Sequence, residues 1–184
     1  LSYLLSCIHI GEYVTIDYKS MTIKILDTEE ELKKFWIMMD EYMVKDIFPY
    51  SSIGRVLSQE DKEWFFSSEY RNALYALSKR DIDTFFFAFL MLKEEVVGFV
   101  YYGTYLSEDG KCFISEYCIL PEYRNRGLGK EYFRILKESA MEQGAEYFEL
   151  NVSNERNKRF WESIGFRFDG FDEQNVMLMR LVVE

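Results

Sequence analysis

Apolar and polar positions alternate over residues 22–26, the period of a half-buried strand, and Asp27 or Thr28 can cap the helix that follows, with Thr28 and Glu31 at capping-box spacing. That helix is predicted to run to about Val44. Phe48-Pro49-Tyr50-Ser51-Ser52-Ile53-Gly54 reads as a loop by its turn residues, and Ser58 caps a second predicted helix that reaches Ser78 or Lys79. Three apolar segments come next, 84–92, 96–105 and 111–120, separated by Lys93-Glu94-Glu95 and by a turn around Asp109-Gly110, and they predict an antiparallel meander. Beyond it the pattern predicts a helix at 128–143 stopped by Gly144, a strand at 147–152, a helix at 155–164 and a closing hairpin of 166–169 with 176–183.

Chemistry enters where the third apolar segment gives way to a helix. Pro121-Glu122-Tyr123 breaks the strand, and Arg124-Asn125-Arg126-Gly127-Leu128-Gly129-Lys130 places two glycines and three cations at the junction. The first N–H groups of a helix have no internal partner, and the helix dipole adds partial positive charge there, so an anion fits. Gly127 and Gly129 let the main chain turn tightly and approach a phosphate with no side chain in the way. Two phosphate motifs fail on spacing. A P-loop needs glycine where Arg124 stands and Ser or Thr where Glu131 stands, and a dinucleotide fingerprint needs a third glycine where Tyr132 stands.

The segment resembles the pyrophosphate-binding motif of the GNAT superfamily of N-acetyltransferases, R/Q-x-x-G-x-G/A, through Arg124, Gly127 and Gly129. A second part of the resemblance lies downstream, where Asn154 precedes a helical segment that ends in Phe160-Trp161-Glu162 and Gly165-Phe166, in the order and at the separation that the family carries. The resemblance covers roughly residues 85–181. It implies an α/β (α+β) fold, with a mixed, mostly antiparallel central sheet of about seven strands flanked by about four helices and splayed between strands four and five.

The resemblance also implies a function: transfer of the acetyl group of acetyl-CoA, as co-substrate and without a metal, to a primary amine by direct attack in a ternary complex. Cys118, Ile119 and Leu120 would offer main-chain groups to the pantetheine arm. The pyrophosphate would sit on the amides from Arg126 through Gly127, Leu128 and Gly129 to Lys130, with Arg124 and Arg126 adding charge-assisted bonds. Asn154 would hold the pantetheine, and Phe160 and Trp161 would pack near the thioester, although core packing is the stronger reading for Phe160 and an equal one for Trp161. Tyr50, Ser51 and Arg55, in the loop between the first two helices, are candidate acceptor contacts.

An alkyl ammonium with a pKa near ~10.4 costs roughly 4 kcal/mol to deprotonate at pH 7, so a general base is wanted. Glu116 is the candidate, two residues before Cys118 and therefore facing the same way on a strand. Many relatives carry tyrosine at the position of Trp161, as the acid that protonates the departing thiolate; an indole N–H cannot do this. Tyr117, Tyr123, Tyr132 and Tyr147 are left as substitutes. The alternative function is a catalytically weak or silent acyl-CoA-binding regulatory module.

Composition changes this picture little. A chain of 184 residues that is 48% apolar can fill one sizeable core, so residues 21–184 are expected to form a single acetyltransferase domain. Residues 1–20 are set apart as an N-terminal extension or an extra strand, and they make a poor signal peptide, with no basic region and no small-residue cleavage site. Three cysteines without metal-ligand spacing suit reduced thiols in the cytoplasm, and the lone His9 has no partner pattern. The longest apolar run, 85–92, is far short of the ~20 residues of a membrane helix, so no membrane association is expected. A net charge of −10 disfavours nucleic acid and suits a cationic acceptor, such as a polyamine, an aminoglycoside or a protein amine. A monomer or a homodimer is expected.

Overall fold

Among the described residues, seven strands form one sheet in the order β1-β2-β3-β4-β5-β7-β6. The computed structural model of the chain describes residues 20–54 and 56–183. Residues 1–19 of the expected extension, and Arg55, lie outside the described residues. In chain order the elements are β1 (Met21–Ile25), α1 (Glu29–Tyr42), a π-helical turn (Met43–Ile47), α2 (Gln59–Trp64), α3 (Ser68–Leu77), β2 (Phe85–Leu92), β3 (Glu95–Tyr105) and β4 (Lys111–Ile119). They continue through a 3-10 turn (Pro121–Tyr123), α4 (Leu128–Glu142), β5 (Tyr147–Val152), α5 (Glu155–Glu162), β6 (Arg167–Phe171) and β7 (Met177–Val182). Every strand pair is antiparallel except β4 with β5, whose connection through α4 is the long crossover that a parallel pair requires.

The strands in the middle of the sheet are buried on both faces, which is why their sequences are continuously apolar. Phe85, Phe87 and Phe89 point toward α1, where they meet Phe35 and Met39, while Ala88 and Leu90 point to the other face, where α4 brings Tyr132, Phe133 and Leu136. The capping box of α1 forms as expected, with Thr28 Oγ1 accepting from Glu31 N at 3.2 Å.

Two local departures from the sequence pattern shape the site. The helix expected from Ser58 to Ser78 is two helices. Ser67 stops α2 by donating its hydroxyl to Trp64 O at 2.7 Å and starts α3 by accepting from Tyr70 N at 3.1 Å. On β4, Tyr102 of β3 stands opposite Ile114 and Tyr101 stands opposite Glu116, so Ser115 is an extra, bulged residue. Cys112 and Ile114 belong to the core under α4, yet Cys118 belongs to the core under α1, because the bulge reverses the facing of every later side chain.

Candidate active site

Only Lys111–Ile114 of β4 pair with β5, against Tyr147–Leu150, and the two strands then part. The gap opens a cleft of about 1020 Å³ that runs from the glycine segment to the helices α1, α2 and α3. Its roof is the loop after the π-helical turn. Ser52 N and Ile53 N both donate to Ser153 O, at 2.8 and 3.0 Å, and Gly54, at φ +73°, packs so closely that a Cβ would lie 2.3 Å from Asn175 O. Tyr50 and Ser51 line the cleft; Tyr50 is exposed, and the Ser51 hydroxyl is given to Ile47 O at 2.9 Å.

The main-chain edge that β4 offers to the gap follows from register. Leu120 N donates to Val97 O at 2.9 Å, so Leu120, and with it Cys118 two residues earlier, turns its main-chain groups toward β3. The groups that face the gap are those of Tyr117 and Ile119. Of the three residues expected to present main-chain groups there, Ile119 alone has the orientation, and Tyr117 joins it.

At the glycine segment, Gly127 takes a left-handed conformation, φ +81°, and starts α4 without a side-chain cap. Among the described residues, Leu128 N and Gly129 N meet no main-chain acceptor, and Asn125, Gly127, Leu128, Gly129 and Lys130 line the cleft. Gly129 has a second reason to be glycine: a Cβ would come within 3.1 and 3.2 Å of the Phe160 ring. The two arginines are placed otherwise than the anion reading expects. Arg124 donates through Nε to Ile119 O at 2.7 Å and through Nη1 and Nη2 to the carboxylate of Asp46 at 2.8 and 2.6 Å. Arg126 is exposed and its guanidinium stacks 5.8 Å from the centre of the Tyr123 ring.

On the far side of the gap, Asn154 is buried as the cap of α5, its Oδ1 accepting from Asn157 N at 2.9 Å. Phe160 lies parallel to Tyr117 at 6.2 Å. Trp161 is enclosed by Tyr117, Phe133, Phe160 and Phe166, all edge-on or tilted to it at 5.0 to 5.7 Å, so core packing accounts for its place. Tyr117 Oη donates to Gly129 O at 2.7 Å. Of the other tyrosines considered as acids, Tyr123 lines the cleft with its hydroxyl on Glu95, Tyr132 is in the core under α4, and Tyr147 bonds Asp109 at the opposite end of the sheet.

Glu116 is half-buried in the cleft wall on the α1 side. Burial pushes its carboxyl up to about 8, and the adjacent Tyr42 hydroxyl offsets the shift only in part. Burial likewise raises the Tyr42 and Tyr70 hydroxyls above their ordinary range, with Glu116 adding to both. The Cys118 thiol is pushed up to about 12 by burial, against the pull of Arg124, so it is no nucleophile at neutral pH. Tyr42, Asp46, Trp64, Phe65 and Tyr70 are site residues that sequence reasoning misses. Nothing local marks them, because the π-helical turn and the break at Ser67 bring them in. No group of three or more metal-ligating side chains, and no helix long and apolar enough to cross a membrane, is present among the described residues.

Residues 52–166 match the model of the acetyltransferase (GNAT) family. No curated protein matches the chain. Among solved structures it is similar to the PaiA N-acetyltransferase from Thermoplasma acidophilum in complex with coenzyme A, at 17% identity over 89% of this chain and 99% of that one, with a TM-score of 0.64. An acetyltransferase from Thermus thermophilus aligns at 17% identity, 89% and 97% coverage and a TM-score of 0.61. A Bacillus subtilis acetyltransferase in complex with CoA aligns at 12% identity, 89% and 99% coverage and a TM-score of 0.56. At these identities the likeness is one of fold. The family match spans more than half of the chain, and the parted β4 and β5 with the glycine segment fall within it, so the chain belongs to the GNAT family of acetyltransferases.

Proposed function

We propose that the chain transfers the acetyl group of acetyl-CoA to a primary amine. The observation that carries this reading is that three features share one cleft: the first amides of α4, which meet no main-chain acceptor, the β4 edge at Tyr117 and Ile119, which no strand pairs, and the carboxyl of Glu116. Coenzyme A bound to two structures of this fold supports it. Leu128 N and Gly129 N, with Lys130 beside them, would hold the pyrophosphate, and the Tyr117 and Ile119 main chain would pair with the pantetheine amides. Arg124 would act from behind, fixing the Ile119 carbonyl while Asp46 holds its fork.

Acetyl-CoA supplies the thioester, whose carbonyl carbon the neutral amine attacks as the C–S bond breaks. Glu116 takes the proton that the ammonium must lose, directly or through water, and a carboxyl that titrates near 8 is well matched to this work close to neutrality. The thiolate leaves with a pKa near ~8.5, so it needs little help, and the second N–H proton, shed as the amide forms, goes to it or to water. Tyr117 is the phenol nearest to the Trp161 position in the cleft, and its hydroxyl already donates to the carbonyl of Gly129. A silent acyl-CoA-binding module is the second reading, favoured by the enclosure of Trp161 where a tyrosine acid would stand. Thermal stabilisation by acetyl-CoA, followed by thiol release with a panel of amines, decides between them. Binding without turnover on any amine would leave only the second.

A further inference from the structure

Four rings wall the cleft on the α1 side of β4, beside Asp46, Asp61, Glu116 and Arg124. Trp64 and Phe65 stand at the end of α2, Tyr70 on α3 and Tyr42 at the end of α1, all lining the cleft with Glu116. Tyr70 holds the group together, 5.2 Å from the Phe65 ring and 6.2 Å from the Trp64 ring, both edge-on. Trp64 remains 49% exposed, so part of a large apolar surface is unspent.

The carboxylates that line the cleft are Asp46, Asp61, Glu116, Glu155 and Asp172. Asp46 is neutralised by Arg124. Asp61 accepts from Ser58 N at 2.8 Å as the return bond of the α2 cap. Asp172 accepts from Asn151, Gln174 N and Val176 N. Glu155 begins α5, a helix whose Trp161 packs into the core on the opposite face of the sheet from α1. Among the described residues of the ring-walled half, Glu116 is thus the carboxylate that neither a cation nor a helix end engages. A polyamine brings several ammonium groups spaced along a chain and needs a carboxylate for each, because a buried charge without a partner is costly. This wall has one to give. It does have ring faces, which attract both an apolar body and a cation near them.

Resting on the acetyl-transfer reading, we infer that the acceptor is an arylalkyl monoamine, its ring taken by Trp64, Phe65 and Tyr70 and its nitrogen reaching Glu116. The reaction is the one above: the ammonium's first proton passes to Glu116, the neutral nitrogen forms the C–N bond, the thiolate departs with the electron pair of the C–S bond, and the nitrogen's second proton goes to that thiolate or to water. Calorimetric titration of the CoA-saturated protein with phenethylamine and with spermidine tests the acceptor class apart from catalysis, and thiol release from acetyl-CoA tests transfer. Phenethylamine is expected to bind at least about tenfold more tightly than spermidine, and Trp64→Ala to weaken it about tenfold. The acetyl-CoA affinity of that variant reports whether it is folded; Trp64→Phe, which keeps a ring, should bind phenethylamine nearly as wild type does. Tighter binding of spermidine, or equal phenethylamine binding in wild type and Trp64→Ala, would overturn the inference. Phenethylamine binding without thiol release would sink acetyl transfer and leave the ring site standing.

Discussion

Arg124 and Asp46 face each other fork to fork, Nη1 2.8 Å from Oδ1 and Nη2 2.6 Å from Oδ2, and so tie the glycine segment after β4 to the π-helical turn after α1. Both side chains are mostly buried, 18% and 19% exposed. Such charge-assisted pairs are short and directional. The third donor of Arg124 ends on Ile119 O, at the edge where the pantetheine is proposed to lie. Asp46→Asn should therefore cost about 1.5–3 kcal/mol of stability and weaken acetyl-CoA binding as well. Denaturant unfolding and an acetyl-CoA titration measure the two effects, and a variant unchanged in both would break the link.

Glu116 carries a pH signature. Its carboxyl titrates near 8 in the folded protein, so the base form grows, and activity should rise, as pH passes through 8. Glu116→Gln should lose about 10²–10⁴ in rate and that limb of the profile. Stability moves the other way. The unfolded chain releases this proton near ~4.3 and the folded chain near 8, so the folded state is penalised progressively between those values and fully above them. Glu116→Gln should accordingly gain melting temperature over wild type at pH 9 and lose the advantage at pH 4. Equal melting curves at both pH values would contradict the shift.

Gly103 on β3 has no room for a side chain. A Cβ there would lie 2.3 to 2.6 Å from the Phe85 ring, which is itself held by Tyr101 and Tyr105. Gly103→Ala should cost about 1–3 kcal/mol, and Phe85→Leu in the same chain should recover part of it. Urea unfolding of the single and double variants gives the coupling, and strictly additive losses would mean that the ring is not the obstacle.

Trp161 is held by four rings and is 6% exposed, so its size is set by packing. Trp161→Ala should cost about 3–5 kcal/mol. Trp161→Tyr should lower the melting temperature with no gain in kcat, whereas Tyr117→Phe should lower kcat, since Tyr117 is the cleft tyrosine whose ring packs against Trp161. A rise in kcat in Trp161→Tyr would restore the missing-acid reading and point to a weakened enzyme.

Much of the fold can be read along the chain, because strand and helix periods are local: the strand expected at 147–152 is β5, Tyr147–Val152, and the Thr28 capping box is present. The glycine segment is equally legible, since Gly127 and Gly129 act on their own turn. What escapes is every feature that depends on distant partners or on a change of phase. Arg124 reads as an anion ligand because Asp46, 78 residues away, gives no sign of itself in sequence. Cys118 and Leu120 read as the open edge because hydrogen-bond direction depends on the β3 register, where Leu120 N meets Val97 O. The ring wall stays hidden because Ser67, on apolar period alone, lies within a single helix.

The extra residue at Ser115 has a meaning for comparison among relatives. Before it, even-numbered β4 side chains serve the core under α4; after it, they face α1. A relative with an unbulged β4 would keep the carboxylate equivalent to Glu116 at odd separation from the residue equivalent to Ile114, and an ungapped alignment would then set Glu116 against a core residue. The proposed base, Glu116, is best matched among relatives by the face of the sheet it occupies, counted back from the glycine segment, rather than by column.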